Sequence, residues 1–63
     1  MEPKASILIV DDDRYLCECI KYVLEENRYL TECAFSGNDA IEQARNNKYD
    51  IAIIDIKLPD ISL

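Results

Sequence analysis

The sequence predicts an α/β fold in which three parallel strands alternate with two helices, forming one domain over residues 1–63. Two short apolar runs without helical period, at residues 5–10 and 50–56, indicate strands buried on both faces of a sheet. Between them, two segments with helical spacing flank a shorter and more polar strand at residues 29–34. Short loops between alternating strands and helices are typical of a parallel sheet, so a β-α-β-α-β unit is expected.

The first helix is predicted at residues 14–26. Asp13 is a suitable N-cap because its carboxylate can accept a hydrogen bond from the first turn. Asn27 can take the left-handed conformation that ends a helix. The predicted buried face consists of apolar residues at helical spacing, namely Leu16, Cys19, Ile20, Val23 and Leu24.

The second helix is predicted to begin after Ser36 and to end near Arg45. Ser36 and Asp39 have the spacing of a capping box, with an acid three residues beyond a hydroxyl N-cap. The expected buried residues of this helix are Ala40, Ile41 and Ala44.

The charge and the cysteine content restrict the possible partners and the cellular compartment. A net charge of -6, from 13 acidic and 7 basic residues, disfavours direct binding to nucleic acid or to an anionic membrane. The longest apolar run, residues 7–10, is far shorter than a membrane span, and no secretory signal pattern is present. Three cysteines without paired spacing indicate reduced thiols, and zinc is improbable without histidine. A cytoplasmic protein is expected.

Three aspartates are predicted to meet at one edge of the sheet. Asp11 and Asp12 end the first strand, and Asp55 lies near the end of the third. Ligands in open parallel sheets bind outside the carboxyl ends of the strands, so these carboxylates should converge. Clustered carboxylates repel one another, and a hard divalent cation relieves the repulsion. Oxygen ligands favour Mg²⁺ or Ca²⁺ over softer metals. Mg²⁺ typically binds through one or two carboxylates together with a phosphate, which suits a phosphoryl-transfer site.

Each aspartate feature also has a purely structural interpretation. A run of three acids at a strand end is often a solvated loop and helix cap. An aspartate in an apolar strand, such as Asp55, can be a hydrogen-bonded structural residue, although burying an unpaired carboxylate is costly. Both features, in this order within one β-α-β-α-β frame, favour a functional site.

Segments 7–13, 36–40 and 49–59 together resemble the receiver domain of two-component response regulators, which has a flavodoxin-like (CheY-like) fold. The resemblance implies that Asp55 accepts a phosphoryl group from a sensor histidine kinase and becomes an acyl phosphate. It implies that Asp11 and Asp12 hold Mg²⁺, with Asp11 acting partly through water. Asp55 would also contact the metal, and the backbone carbonyl of Lys57 would complete its site.

The sequence also departs from the family pattern. A receiver is about twice this length, and the resemblance implies a Ser or Thr on a fourth strand and a Lys on a fifth, both absent from these 63 residues. Arg28 stands where the family often has glycine. We therefore expect a truncated receiver that carries the phospho-acceptor but signals poorly. Its exposed third strand is expected to pair with a second copy, giving a homodimer; open aggregation or a helix-mediated dimer are the rival outcomes.

The sequence also allows two other functions to be compared with this one. The chain could be a non-signalling decoy or interaction module that binds a histidine kinase through its first helix, which is intact. An independent metal- or phosphate-dependent enzyme is disfavoured, because the single glycine excludes a glycine-rich phosphate loop and no nucleophile–histidine set exists. Lys57 also occupies the place of the second acid in aspartate-based phosphatases. The chain is therefore not expected to be an enzyme.

Overall fold

A computed structural model describes residues 3–55 and contains the predicted β-α-β-α-β unit. The elements are β1 (Ser6–Val10), α1 (Arg14–Glu26), β2 (Leu30–Ala34), α2 (Gly37–Asn46) and β3 (Ile51–Ile54). The three strands form one parallel sheet in the order β2-β1-β3. The α/β fold and the three-stranded parallel sheet are thus confirmed. Neither helix in this range is long and apolar enough to cross a membrane.

The central position of β1 explains its composition. It is bonded to a strand on each side, and Ile7, Leu8, Ile9 and Val10 are all buried. Alternate side chains serve opposite faces of the sheet. One cluster therefore contains Leu8, Val10 and Ala34; the other contains Ile7, Ile9 and Cys17, with partly buried residues of α1, β2 and the following loop packed around it.

Both helix starts are formed by the predicted caps. The Asp13 carboxylate accepts a hydrogen bond from the Leu16 N–H at 3.0 Å. The Ser36 hydroxyl accepts one from the Asp39 N–H, also at 3.0 Å. These bonds satisfy amide groups that have no partner within the helix, and this is why each helix begins where it does.

The end of α1 differs from the prediction. Asn27 has φ -98°, so it is not left-handed; Arg28 takes the left-handed conformation, with φ 68°. The Arg28 N–H donates to the Glu25 carbonyl and the Tyr29 N–H to the Leu24 carbonyl, each at 3.0 Å. This pair of bonds is a Schellman motif, in which glycine normally occupies the position of Arg28.

The buried face of α1 is also different from the predicted one. Cys17 is fully buried, whereas Cys19 is exposed. Leu16 and Val23 are 43% and 57% exposed. The helix packs on β1 and β2 but not on β3, so only the side of α1 that faces those two strands is covered.

The same arrangement explains why the buried face predicted for α2 is partly wrong. Ala40 packs against the core as predicted, but Ile41 is 55% exposed and Ala44 is exposed as well. Like α1, α2 packs on β1 and β2 and not on β3. Ile41 and Ala44 instead line an open apolar groove whose other side includes Ile54 of β3.

Polar contacts join the residues just before β3 to the other two strands. The Asp50 carboxylate accepts a hydrogen bond from the Ser6 N–H at 2.7 Å, and the Asp50 N–H donates to the Ser6 carbonyl at 2.8 Å. The Tyr49 hydroxyl donates to the Glu32 carboxylate on β2. Burial and this hydrogen bond raise the pKa of Tyr49 to about 12, so the phenol stays protonated and able to donate even at moderately alkaline pH. These contacts hold the segment before β3 against the amino end of the sheet.

We predict that Arg28→Gly stabilises the fold, because a left-handed conformation costs a side-chain-bearing residue about 1–2 kcal/mol. Part of this gain is lost to the greater freedom of glycine in the unfolded chain. The expected net increase in the free energy of unfolding is about 0.5–1 kcal/mol, measured by urea denaturation. Asn27→Gly is the matched control, because Asn27 is not left-handed and should gain nothing. A less stable Arg28→Gly protein would contradict this account of the helix end.

Candidate functional site

The carboxyl ends of β1 and β3 bring three predicted site residues together. Asp11, Asp12 and Asp55 each offer one carboxylate oxygen, and the three oxygens lie within 4.8 Å of one another. Asp11 and Asp55 are half-buried, and Asp12 is exposed. The cluster is therefore open to solvent on one side and backed by the sheet on the other. Lys57, the fourth predicted member, lies outside the described residues.

The position of Asp55 follows from strand pairing. β1 and β3 are in register from Ile7 opposite Ile51 to Val10 opposite Ile54. The Asp55 N–H then donates to the Val10 carbonyl at 2.9 Å, which continues the backbone pairing one residue past the strand. Asp55 consequently emerges beside the first residues after β1, although they are distant in the sequence.

Asp11 is held by three hydrogen bonds. Its N–H donates to the Ala34 carbonyl of β2 at 3.0 Å, and its carboxylate accepts from the Asp13 N–H at 3.0 Å. Its carbonyl accepts a weak hydrogen bond from the Cys17 thiol at 3.5 Å. One carboxylate oxygen is thus occupied by the backbone, which fixes the side chain at the edge of the cluster.

Arg14, near this edge of the sheet, stacks on an aromatic ring. The Arg14 guanidinium lies 4.1 Å from the centre of the Phe35 ring. Cation–π stacking of this kind orients the guanidinium over the ring. It ties the first turn of α1 to the loop after β2, beside the loop that carries Asp11 and Asp12.

The sequence prediction did not include Cys17 in the surroundings of the site. Its thiol is buried, contacts the Asp11 carbonyl, and has its pKa raised to about 12, chiefly by burial. A signal was available: Cys17, Ile20 and Leu24 recur at the three- and four-residue spacing of one helix face. The predicted face instead began at Leu16.

Comparison with known proteins gives the family. The family model of the response regulator receiver domain matches residues 7–62. The chain belongs to this family.

Individual relatives of this receiver are regulatory proteins of bacteria. The response regulator ArlR of Staphylococcus saprophyticus is 36% identical over 57 residues, which cover 90% of this chain and 26% of ArlR. The regulatory protein VanRB of Enterococcus faecalis is 36% identical over 56 residues, covering 89% of this chain and 26% of VanRB. The transcriptional regulatory protein DltR of Streptococcus agalactiae is 34% identical over 53 residues, covering 84% and 24%.

The receiver sequence therefore spans about a quarter of the length of these relatives. No solved structure matches it significantly. The match to the family confirms the resemblance found in the sequence.

Proposed function

We propose that this receiver accepts a phosphoryl group on Asp55 from a sensor histidine kinase, with Mg²⁺ held by Asp11, Asp12 and Asp55. The observation that carries the proposal is the convergence of the three carboxylate oxygens within 4.8 Å at one sheet edge. Family membership supports the same assignment. The chain then acts as the acceptor in a phosphorelay and not as an enzyme that turns over a substrate of its own.

The donor set suits a small hard cation. All three side chains offer oxygen, which Mg²⁺ prefers, and Mg²⁺ commonly keeps several water ligands. Because one Asp11 oxygen already accepts from the Asp13 N–H, Asp12 is the better direct ligand, and Asp11 can act partly through water. Lys57 would add its backbone carbonyl, as the resemblance implies. When bound, the metal neutralises charge on the phosphoryl oxygens.

The chemistry at Asp55 is a direct transfer. A carboxylate oxygen of Asp55 attacks the phosphorus of the phosphohistidine; the new O–P bond forms while the P–N bond breaks, and the imidazole nitrogen leaves. The Val10–Asp55 backbone bond fixes where the attacking carboxylate emerges. Positioning and charge neutralisation provide most of the rate in phosphoryl transfer, so a fixed acceptor matters.

A second candidate is a module that binds a histidine kinase without accepting its phosphoryl group. The observation in its favour is the exposed side of α1, where Tyr15, Tyr22 and Val23 are 81%, 66% and 57% exposed. Such a surface can dock a partner helix independently of the acidic cluster. Both candidate functions imply a cytoplasmic location, which the three free cysteines support.

We expect Mg²⁺ to bind weakly, with amide shifts in an isotope-labelled sample that begin at Asp11, Asp12 and Asp55. The reason is that a divalent cation removes the repulsion among three clustered carboxylates. Asp12→Asn should weaken the response strongly, whereas Asp39→Asn, on α2, should leave it unchanged. The absence of any localised shift at millimolar Mg²⁺ would remove the metal from the proposal.

We expect these 63 residues on their own to be phosphorylated slowly by a histidine kinase or by acetyl phosphate. The Ser or Thr and the Lys that the resemblance implies on later strands are not among them, and losing one preorganised donor typically costs about 10²–10³ in rate. Intact-mass spectrometry measures the phosphate, and Asp55→Asn should abolish it, while Asp39→Asn, at an exposed position on α2, is the matched control.

Kinase binding is measured separately from this transfer. Binding by α1 with no phosphate on Asp55, even after long incubation, favours the interaction module over the phospho-acceptor. Stoichiometric phosphate at the rate of a complete receiver would show that the residual site needs no further donors.

We also propose that these 63 residues self-associate through β3, most simply as a symmetric antiparallel dimer with a six-stranded sheet. In the part of the chain that the structure describes, β3 pairs with β1 alone, so its other backbone edge offers amide and carbonyl groups to a further strand. Ile51, Ile53 and Ile54 are 48%, 44% and 50% exposed, since neither helix packs on this strand.

Analytical ultracentrifugation at micromolar concentration should therefore detect a dimer. Burial of an isoleucine contributes about 1.5–3 kcal/mol, so we expect Ile53→Lys to raise the dissociation constant by roughly tenfold or more. Val23→Lys is the matched control, because Val23 is also an exposed β-branched residue but lies on α1. Loss of the dimer only in Val23→Lys would indicate a helix-mediated dimer, and a cooperative monomer would contradict self-association.

A further inference from the structure

Two cysteines from different elements meet beneath α1. Cys17 belongs to the buried cluster with Ile7 and Ile9, and Cys33 packs against the same cluster from β2. Cys33 stands opposite Ile9 in the β1–β2 register. The helix and the strand that carry the two thiols are packed on each other. Both side chains therefore lie on the α1 side of the sheet, in the same hydrophobic cluster.

The two thiols are close enough to influence each other directly. Burial raises the pKa of both thiols, and the proximity of each thiol also shifts the pKa of the other. The third cysteine, Cys19, lies on the exposed side of α1, so it does not belong to this pair. The sequence alone gave no sign of the pairing, because the two positions lie in different elements.

We propose that Cys17 and Cys33 form an intramolecular disulfide that links α1 to β2 when the protein is exposed to a peroxide. The half-buried Cys33 reacts first: its thiolate attacks the peroxide, the O–O bond breaks, and a sulfenic acid and water are formed. The Cys17 sulfur then attacks the Cys33 sulfur, the S–O bond breaks, and a second water leaves. The two thiols lose two electrons and two protons, and hydrogen peroxide is reduced to two molecules of water.

The surroundings determine how this reaction proceeds. Neither thiol is freely exposed, so the oxidation is slow compared with that of an accessible, activated cysteine. The fully buried Cys17 is protected from the peroxide itself, which favours its role as the resolving thiol. Once the disulfide forms, Cys17 no longer donates to the Asp11 carbonyl, a bond of 3.5 Å in the reduced protein. The disulfide therefore removes a hydrogen bond to the loop that carries Asp11 and Asp12.

The test uses the full chain carrying Cys19→Ser, which removes the exposed thiol. The reduced protein is incubated with hydrogen peroxide, denatured and alkylated, and its mass is then measured by intact-mass spectrometry. We expect a species lighter than the reduced protein by two hydrogen atoms and resistant to alkylation. Trypsin cuts after Arg14, Lys21, Arg28 and Arg45, so the product should contain a linked pair of peptides, residues 15–21 and 29–45.

Two controls make the outcome decisive. Adding Cys33→Ser should abolish the linked peptides and leave Cys17 open to alkylation after denaturation. Oxidation in urea exposes both thiols and should also join separate chains, whereas the folded protein should give the intramolecular product alone. The proposal is overturned if Cys33 accumulates as sulfinic acid while Cys17 stays alkylatable, or if the disulfides that form join separate chains.

Discussion

The parallel pairing of β1 with strands on both sides is the constraint on which the rest of this receiver depends. It buries four consecutive side chains of β1 and makes each of them part of a core on one or other face. It also aligns the carboxyl ends of β1 and β3, so that Asp11 and Asp55 emerge together. Hydrophobic packing and the acidic cluster thus have one common cause, the order of the strands.

The two helices do not cover the three strands equally, and this difference determines which apolar residues are exposed. Both helices pack on β1 and β2, while β3 receives no helix among the residues described. The two faces of β3 therefore border open grooves, one beside Leu16 and Ile20 of α1 and the other beside Ile41 of α2. Within residues 3–55, Ile51, Ile53 and Ile54 of β3 are therefore left partly exposed at these grooves.

Most of the fold could be predicted from the sequence, because its signals are local. The apolar run of β1 and the caps Asp13 and Ser36 each depend on a few neighbouring residues, and the structure confirms them. The convergence of the three aspartates could also be predicted, since the first and third strands can be neighbours in an open parallel sheet, with their carboxyl ends at one edge. Lys57 lies outside the described residues, so its place was not tested.

The failures concern features that depend on tertiary packing. The buried face of α1 is centred on Cys17 and not on Cys19, because it is the position of the helix over β1 and β2 that selects the face. Ile41 is apolar and correctly spaced but lies beside β3, on which neither α1 nor α2 packs. The left-handed residue after α1 is Arg28, although Asn27 has the better intrinsic preference, because the Schellman bonds fix the position.

The contacts between Ser6 and Asp50 have a consequence for the opposite end of the sheet. A strand as short as β3 could slide along its neighbour, and a slip of one residue would move it by roughly 3.3 Å and turn every side chain to the other face. Asp55 would then leave the other two carboxylates, and Ile54 would change sides. The paired bonds at Asp50, of 2.7 and 2.8 Å, oppose such a slip because both would be broken. The alignment of the acidic cluster is thus set by an anchor at the far end of the strand.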